Sequence, residues 1–230
     1  MNEVPPLARA ALAACIDHTL LNPAASASDI DRLCDEALEH QFFGVCVHGS
    51  RVIRAFGRLE DSPVKVICVV GFPHGAGDRD AKRYETELAI DHGAAEIDVV
   101  MNLGLFKDGD DAGVLREIRD VVDAADERPV KLIIETAALT NEEIDRACRL
   151  GEEGGAAFVK TSTGYGAGGA TVEAVRRMRS ACGSKVKVKA SGGIRDFDTA
   201  FAMIQAGASR IGSSSGIAIL KGIRVVEASS

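Results

Sequence analysis

The chain has 230 residues with 24 glycines and no tryptophan, which suits one α/β domain, and we expect that domain to span residues 1–230. Its net charge of −7 disfavours a nucleic-acid partner, and six cysteines without a C-x-x-C pair indicate reduced thiols rather than a zinc site or disulfides. Because residues 1–6 lack the regions of a signal peptide and no apolar run approaches the roughly 18 residues of a membrane span, we expect a cytoplasmic protein without membrane contact.

Short apolar runs that end in turn residues predict eight strands along the chain. They cover residues 16–21, 42–47, 65–70, 95–100, 130–136, 156–160, 185–189 and 209–212. A short alanine-rich helix over residues 7–14 precedes the first strand, and a helical pattern follows every strand. Ser28 and Asp29 are the predicted N-caps of the first of these following helices, and residues 140–143 have the pattern of a capping box.

Eight strand signals that alternate with helices predict a closed parallel (β/α)₈ barrel, or TIM barrel, with a short N-terminal helix. An open, doubly wound α/β sheet is the competing architecture, but it normally lacks eight near-equal units. In a barrel of this kind the active site lies at the carboxyl ends of the strands. The functional residues should therefore be those that end each predicted strand or follow it directly.

Two neighbouring predicted strands end in lysine, which is unusual because an ammonium is costly to desolvate. Lys160 leads into Thr-Ser-Thr-Gly, and Lys189 leads into Ala-Ser-Gly-Gly. Burial and a second positive charge both favour a neutral, nucleophilic lysine near pH 7, which suits imine formation with a carbonyl substrate. The alternative is that both are solvent-exposed lysines at strand ends, as most lysines are. The repetition of the pattern favours the catalytic interpretation.

Asp98 lies inside the apolar strand predicted over residues 95–100. It is either an ion-pair partner for a lysine or a carboxylate that relays protons, and the two roles are compatible. Strand alternation places Glu96 and Lys187 on the same face as Asp98 and Lys189. We therefore expect Lys187 to pair with Glu96, Glu135 or another carboxylate, because an unpaired buried charge costs several kcal/mol.

Glycine- and serine-rich turns follow the last three predicted strands. In TIM barrels the turns after strands seven and eight typically bind phosphate through backbone N–H groups and a helix N-terminus. The predicted phosphate-binding residues are Gly164 after strand six, Gly192 and Gly193 after strand seven, and Gly212, Ser214 and Ser215 after strand eight. Backbone amides need no cation, which agrees with the acidic composition.

Five segments at these positions resemble the deoxyribose-phosphate aldolases. They read DHTLLNP (17–23), VGFPHG (70–75), EIDVV (96–100), FVKTSTG (158–164) and KASGGIR (189–195), and the resemblance covers residues 16–219. It implies a class I aldolase that cleaves 2-deoxy-D-ribose 5-phosphate reversibly to D-glyceraldehyde 3-phosphate and acetaldehyde, in deoxyribonucleotide catabolism. Small phosphorylated sugars and aldehydes are then the expected partners, and neither a cofactor nor a metal is expected.

The resemblance also implies roles for individual residues. Lys160 corresponds to the lysine that forms the Schiff base, Lys189 to the lysine that tunes it, and Asp98 to the proton relay. Asp17 corresponds to a further active-site carboxylate that helps hold a water or a substrate hydroxyl. Some family members have a lysine directly after the TSTG segment, where this chain has Tyr165.

Two other functions stay open on the sequence alone. His18, His48 and His74 follow strands one to three, where the ligands of a metal-dependent barrel enzyme could converge, although no H-x-H or H-x-x-x-H pair exists. The second alternative is a non-catalytic sugar-phosphate binding protein. The presence of Lys160, Lys189 and Asp98 together disfavours it. A homo-oligomer, a dimer or tetramer, is expected from the frequency of such assemblies.

Overall fold

The computed structural model describes residues 6–223, and in it eight parallel strands close into a barrel. Each strand pairs with its neighbours in chain order, and β8 returns to pair with β1. The strands are β1 (Ile16–Thr19), β2 (Gly44–His48), β3 (Lys65–Val70), β4 (Glu96–Val100), β5 (Val130–Ile133), β6 (Phe158–Lys160), β7 (Lys187–Ser191) and β8 (Arg210–Ser213). The predicted TIM barrel is confirmed, and the open sheet is wrong. The outer residues of the domain expected over 1–230 lie outside the described range.

Helices surround the barrel and follow the predicted alternation. They are α1 (Pro6–Ala13), α2 (Ala27–His40), α3 (Val52–Leu59), α4 (Arg79–Asp91), α5 (Leu103–Lys107), α6 (Asp111–Ala124), α7 (Asn141–Glu153), α8 (Val172–Ala181), α9 (Phe197–Gln205) and α10 (Gly216–Lys221). The short helix α5 is absent from the sequence prediction. Asn102 caps this helix, because its side chain accepts a hydrogen bond from the Leu105 amide at 3.2 Å.

Side-chain caps fix where two of these helices begin. Ser26 caps α2, because its hydroxyl accepts from the Asp29 amide while the Asp29 carboxylate accepts from the Ser26 amide. The predicted caps Ser28 and Asp29 are therefore wrong by two and three residues, and Asp29 instead completes a capping box. The capping box predicted for α7 is confirmed, with Thr140 and Glu143 bonded reciprocally.

A buried ion pair outside the barrel supports the end of β4. Lys82 on α4 lies 2.8 Å from Glu117 on α6, and both side chains are almost fully buried. The ammonium also donates to the Val100 carbonyl at 3.0 Å, and the carboxylate accepts from the Asn102 amide at 3.2 Å. Two helices are thus tied to the backbone that follows the strand bearing Asp98.

The floor of the barrel lumen is aromatic and cationic. The guanidinium of Arg210 lies 3.3 Å from the ring centroid of Phe43 and 5.4 Å from that of Phe158, distances typical of cation–π contacts. Lys187, the first residue of β7, is exposed, and its Nζ lies 5.5 Å from the Phe158 centroid. In the described chain Lys187 forms no ion pair, so the expected pairing is wrong. Strand alternation predicts which face of β7 carries Lys187, but the residue lies at the amino end of the strand, where water solvates its charge.

Candidate active site

Lys160 and Lys189 lie side by side inside the barrel. They are partners in the register of β6 and β7, and both side chains are buried. Lys160 is the last residue of its strand, as predicted, whereas β7 continues two residues beyond Lys189 to Ser191. The interpretation of these residues as exposed strand-end lysines is therefore wrong. Two buried ammonium groups on adjacent strands need compensating charge within the lumen.

Asp98 supplies part of that charge and contacts three lysines at once. Its Oδ2 accepts from Lys160 Nζ at 2.8 Å and from Lys189 Nζ at 2.7 Å, while its Oδ1 accepts from Lys131 Nζ at 2.7 Å. The register of β4 and β5 places Lys131 opposite Asp98. Asp98 is fully buried, so these contacts are unscreened by water.

Asp17 compensates the far side of Lys189. Its Oδ2 lies 2.5 Å from Lys189 Nζ, and its Oδ1 accepts from Arg210 at 2.9 Å. Arg210 reaches onward to Glu96 at 3.1 Å, and Glu96 lies 2.6 Å from Lys131. Asp17 is fully buried, and both of its oxygens are occupied by Lys189 and Arg210. Its predicted contact with a water or a substrate hydroxyl stays a prediction.

These charges push the pKa values of the central groups in different directions. Burial and the ammonium of Lys189 lower the pKa of Lys160, although Asp98 opposes them. Burial disfavours charge on Lys189 as well, yet Asp17 and Asp98 raise the pKa of Lys189 above its ordinary value. Burial would raise the pKa of Asp98, but Lys131, Lys160 and Lys189 hold that pKa well below its ordinary value. Lys189 therefore keeps its proton at neutral pH, and Lys160 gives its proton up more readily than an exposed lysine does.

A cavity of about 330 Å³ opens above Lys160 at the carboxyl ends of the strands. Five of the six predicted phosphate-binding residues line it, namely Gly164, Gly192, Gly193, Gly212 and Ser214. Ser215 does not line it, and its amide donates to Ser213 Oγ at 2.9 Å. A larger cavity of about 540 Å³ lies outside the barrel mouth beside α4 and contains neither lysine, so the smaller one is the candidate site.

The glycines of this cavity differ in what they do. Gly164, Gly192 and Gly193 have φ values of 83°, 91° and 77°, a region that only glycine adopts easily, and this turns their backbone at the rim of the cavity. Gly212 makes room instead, because a Cβ there would lie 3.0 Å from Lys189 Cε. The side chain of Lys189 can thus lie close to the backbone of β8.

Tyr165 forms one wall of the cavity mouth. Its hydroxyl donates to the Leu21 carbonyl at 2.8 Å, and its ring meets Phe72 edge-on with centroids 5.3 Å apart. It thereby links the loops that follow β1, β3 and β6. Its phenol carries no positive charge, and that the glycines of this cavity bind phosphate stays a prediction.

The three histidines of the metal alternative do not converge. His18 Nε2 lies 2.7 Å from Glu36 Oε2 on α2, and His48 Nε2 lies 3.0 Å from the Leu21 carbonyl. His74 is exposed. Within residues 6–223, no group of three His, Cys, Asp or Glu side chains is placed to hold a metal ion. The ligand geometry therefore does not support the metal-dependent alternative.

Sequence reasoning missed two charged residues that support the site. Lys131 and Arg210 each interrupt an apolar strand, the same signal that singles out Asp98, and both lie in the lumen. Glu135, which follows β5 and is an expected partner of Lys187, has other contacts. Its carboxylate accepts from the amide and the hydroxyl of Thr163, at 3.1 Å and 2.6 Å, and so braces the loop after β6.

Comparison with known proteins finds relatives along nearly the whole chain. Residues 11–222 match the family model of the DeoC/LacD family aldolases. The deoxyribose-phosphate aldolase of Bdellovibrio bacteriovorus is 53% identical over 207 residues, which cover 90% of this chain and 94% of that protein. That of Thermococcus gammatolerans is 51% identical over 220 residues, covering 94% and 98%. Among solved structures, the tetrameric deoxyribose phosphate aldolase of Aeropyrum pernix has a TM-score of 0.86 at 33% identity, covering 91% of this chain and 89% of that one.

Proposed function

The chain belongs to the DeoC/LacD family of aldolases, and we propose that it cleaves 2-deoxy-D-ribose 5-phosphate reversibly to D-glyceraldehyde 3-phosphate and acetaldehyde. The family relationship expected from the five sequence segments is confirmed, and the protein is an aldolase, a carbon–carbon lyase. The observation that carries the proposal is the buried Lys160, which lines the glycine-rimmed cavity and shares Asp98 Oδ2 with Lys189.

The chemistry follows from the order of these groups. Neutral Lys160 attacks the aldehyde carbon C1 of the open-chain sugar and, after loss of water, forms an iminium ion. The C2–C3 bond then breaks: its electrons move to C2 and into the iminium, and the C3 hydroxyl loses its proton as C3 becomes the aldehyde carbon of glyceraldehyde 3-phosphate. Protonation of the remaining enamine at C2 and hydrolysis of the imine release acetaldehyde and restore the lysine.

Asp98 and Lys189 have different roles in the proposed reaction: Asp98 transfers protons, and Lys189 lowers the pKa of Lys160. Asp98 Oδ2 lies 2.8 Å from Lys160 Nζ, which is close enough to take and return protons as the carbinolamine forms and collapses. Because its pKa is held low, Asp98 holds such a proton only transiently. Lys189 stays charged beside it and disfavours a second fixed positive charge on Lys160 before substrate arrives.

A trapping experiment tests the proposal directly. Borohydride added with 2-deoxy-D-ribose 5-phosphate should reduce the imine to a stable adduct, and peptide mass spectrometry should place that adduct on Lys160. A coupled assay for glyceraldehyde 3-phosphate should show turnover in the same preparation. Turnover without a substrate-dependent lysine adduct would refute the imine mechanism, and adduct formation on another lysine would refute the assignment of Lys160.

The phosphate group should bind at the glycine rim of the cavity. Gly193→Leu is expected to raise KM for 2-deoxy-D-ribose 5-phosphate by roughly tenfold or more, since losing one charge-assisted hydrogen bond of about 1.5–3 kcal/mol has this effect. KM for unphosphorylated 2-deoxyribose should change much less. The measurement is steady-state kinetics with both sugars.

Gly109→Leu is the matched control for this variant. Gly109 has the same φ of 77° as Gly193, and a Cβ at either position would meet no atom within 4 Å. The two variants therefore place a leucine at the same positive φ, but Gly109 lies in the loop between α5 and α6 and does not line the cavity. An equal effect of Gly193→Leu on both sugars would contradict the phosphate assignment.

The surroundings of the enzyme complete the proposal. We place it in the cytoplasm, in the breakdown of deoxyribonucleotides, because its proposed substrate is a product of that chemistry. The described part of the chain contains no helix long and apolar enough to cross a membrane. A homo-oligomer is proposed because the relative from Aeropyrum pernix is a tetramer. Sedimentation equilibrium that showed a monomer would contradict this last point.

A further inference from the structure

Six buried side chains form a closed ring of alternating charge across the barrel lumen. Each contact in the ring joins a carboxylate to a cation at 2.5–3.1 Å, and the last group returns to the first. In order around the ring, the members are Glu96, Lys131, Asp98, Lys189, Asp17 and Arg210. We call this set the lumen ring. Five strands contribute to it, namely β1, β4, β5, β7 and β8.

The lumen ring is electrically balanced without Lys160. Its three carboxylates and three cations sum to zero, and Lys160 is a seventh group attached to Asp98 Oδ2. We propose that Lys131, Arg210 and Glu96 are positioning residues of the aldolase, which balance the charge around Asp98 and Asp17 so that Lys160 can work as a neutral amine. This inference deepens the proposed function and rests on Lys160 being its nucleophile.

Lys131 is the member whose effect on Lys160 is most direct. It occupies Asp98 Oδ1, and Lys160 and Lys189 share Oδ2. With both oxygens neutralised by other cations, Asp98 holds a proton on Lys160 less strongly than an isolated carboxylate would. If Lys131 were removed, one negative charge of the ring would lack a partner, and Lys160 would be the remaining group able to balance it.

The other strands offer Lys160 no competing charge at this depth. On β2 the nearby titratable group is Cys46, and burial raises the pKa of its thiol to about 11, so the thiol is neutral at physiological pH. The lumen side chains of β3 in contact with Cys46 are the apolar Ile67 and Val69. Glu135, which follows β5, is engaged by Thr163. The groups that decide the proton on Lys160 are therefore Asp98 and the remaining members of the lumen ring.

The test measures how the rate of borohydride trapping depends on pH. Trapping needs neutral Lys160, so the rate rises as pH passes the pKa of that residue. Lys131→Met removes a positive charge at nearly constant volume and should move the midpoint upward by about one pH unit or more. Lys187→Met is the matched control, because Lys187 also lies over the Phe158 ring, at 5.5 Å against 5.8 Å for Lys131, but contacts no carboxylate in the described chain. Its profile should match that of the parent.

Glu96→Gln provides a variant with the opposite sign. It removes a negative charge from the lumen ring while keeping the shape of the side chain, so the midpoint should move downward. The double variant Lys131→Met with Glu96→Gln restores the balance, and its midpoint should return toward that of the parent. A role in packing alone would not produce opposite shifts that cancel.

The outcomes separate this inference from the proposed function. If the parent protein forms no adduct on Lys160, the proposed function fails before the ring is tested. If the parent is trapped but Lys131→Met titrates like Lys187→Met, the inference is wrong and the aldolase mechanism stands. If Lys131→Met does not fold, Glu96→Gln decides alone, and an unchanged or raised midpoint in that variant overturns the inference.

Discussion

Lys160→Met is expected to abolish both turnover and borohydride trapping. The substitution nearly preserves volume in a buried position, but it removes the only atom that can bond to C1 of the sugar in the proposed mechanism. Removing a nucleophile costs other enzymes several orders of magnitude, and we expect a fall in kcat of roughly ten-thousandfold or more. The coupled assay for glyceraldehyde 3-phosphate and mass spectrometry of the trapped protein measure the two losses.

The control for Lys160→Met is the same substitution at Lys187, the exposed lysine of the barrel floor. That variant should keep turnover and the adduct, since Lys187 forms no ion pair within the described residues and lies at the amino end of its strand. A far-ultraviolet circular dichroism spectrum should show both variants folded. A trapped adduct in Lys160→Met would mean that another lysine is the nucleophile, with Lys189 the first candidate.

Lys189→Met should reduce turnover by roughly a hundredfold or more while leaving Lys160 able to form an adduct at high pH. Two effects raise the pKa of Lys160 in this variant. The like charge beside it is gone, and Asp98 has one cation fewer to neutralise it. Trapping should therefore begin at a higher pH than in the parent, and a full pH profile of both proteins measures the displacement.

The same substitution should also destabilise the fold. Lys189 pairs with Asp17 and Asp98, and breaking a buried charge cluster by removing one partner costs about 3–5 kcal/mol. Urea unfolding near neutral pH should show this loss, whereas Lys187→Met should unfold like the parent. Identical trapping profiles for Lys189→Met and the parent would show that Lys189 does not tune Lys160, whatever its effect on stability.

The sequence predicts the barrel and the central residues well because both depend on short-range regularities. Strand length and alternation are local, and in a parallel barrel they are enough to bring Lys160, Lys189 and Asp98 to the same lumen. The placement of five predicted phosphate-binding residues around one cavity follows from their position in the strand order. All of these predictions use two things: the face of the strand on which a residue lies, and the order of the strands along the chain.

Depth along the barrel is what the sequence does not specify. Lys187 and Lys131 both interrupt apolar strands on the lumen face, yet the first is exposed at the floor and the second is fully buried. The stagger of neighbouring strands decides this, and it is a property of the closed sheet rather than of any one strand. For the same reason the two partners of Glu96 could not be predicted: Lys131 lies on the neighbouring strand β5, and Arg210 reaches Glu96 from β8 across the lumen.

The closed floor of the lumen also constrains the order in which the two products leave. Within the described residues, the lumen ring, Phe43 and Phe158 fill the barrel lumen beneath Lys160. The cavity therefore opens at the carboxyl ends of the strands. The two-carbon fragment stays bonded to Lys160 at the deep end, and the triose phosphate lies between it and the opening. Glyceraldehyde 3-phosphate should thus depart first. Acetaldehyde should then inhibit competitively against the sugar phosphate and glyceraldehyde 3-phosphate non-competitively; the reverse pattern would contradict a cavity with a single entrance.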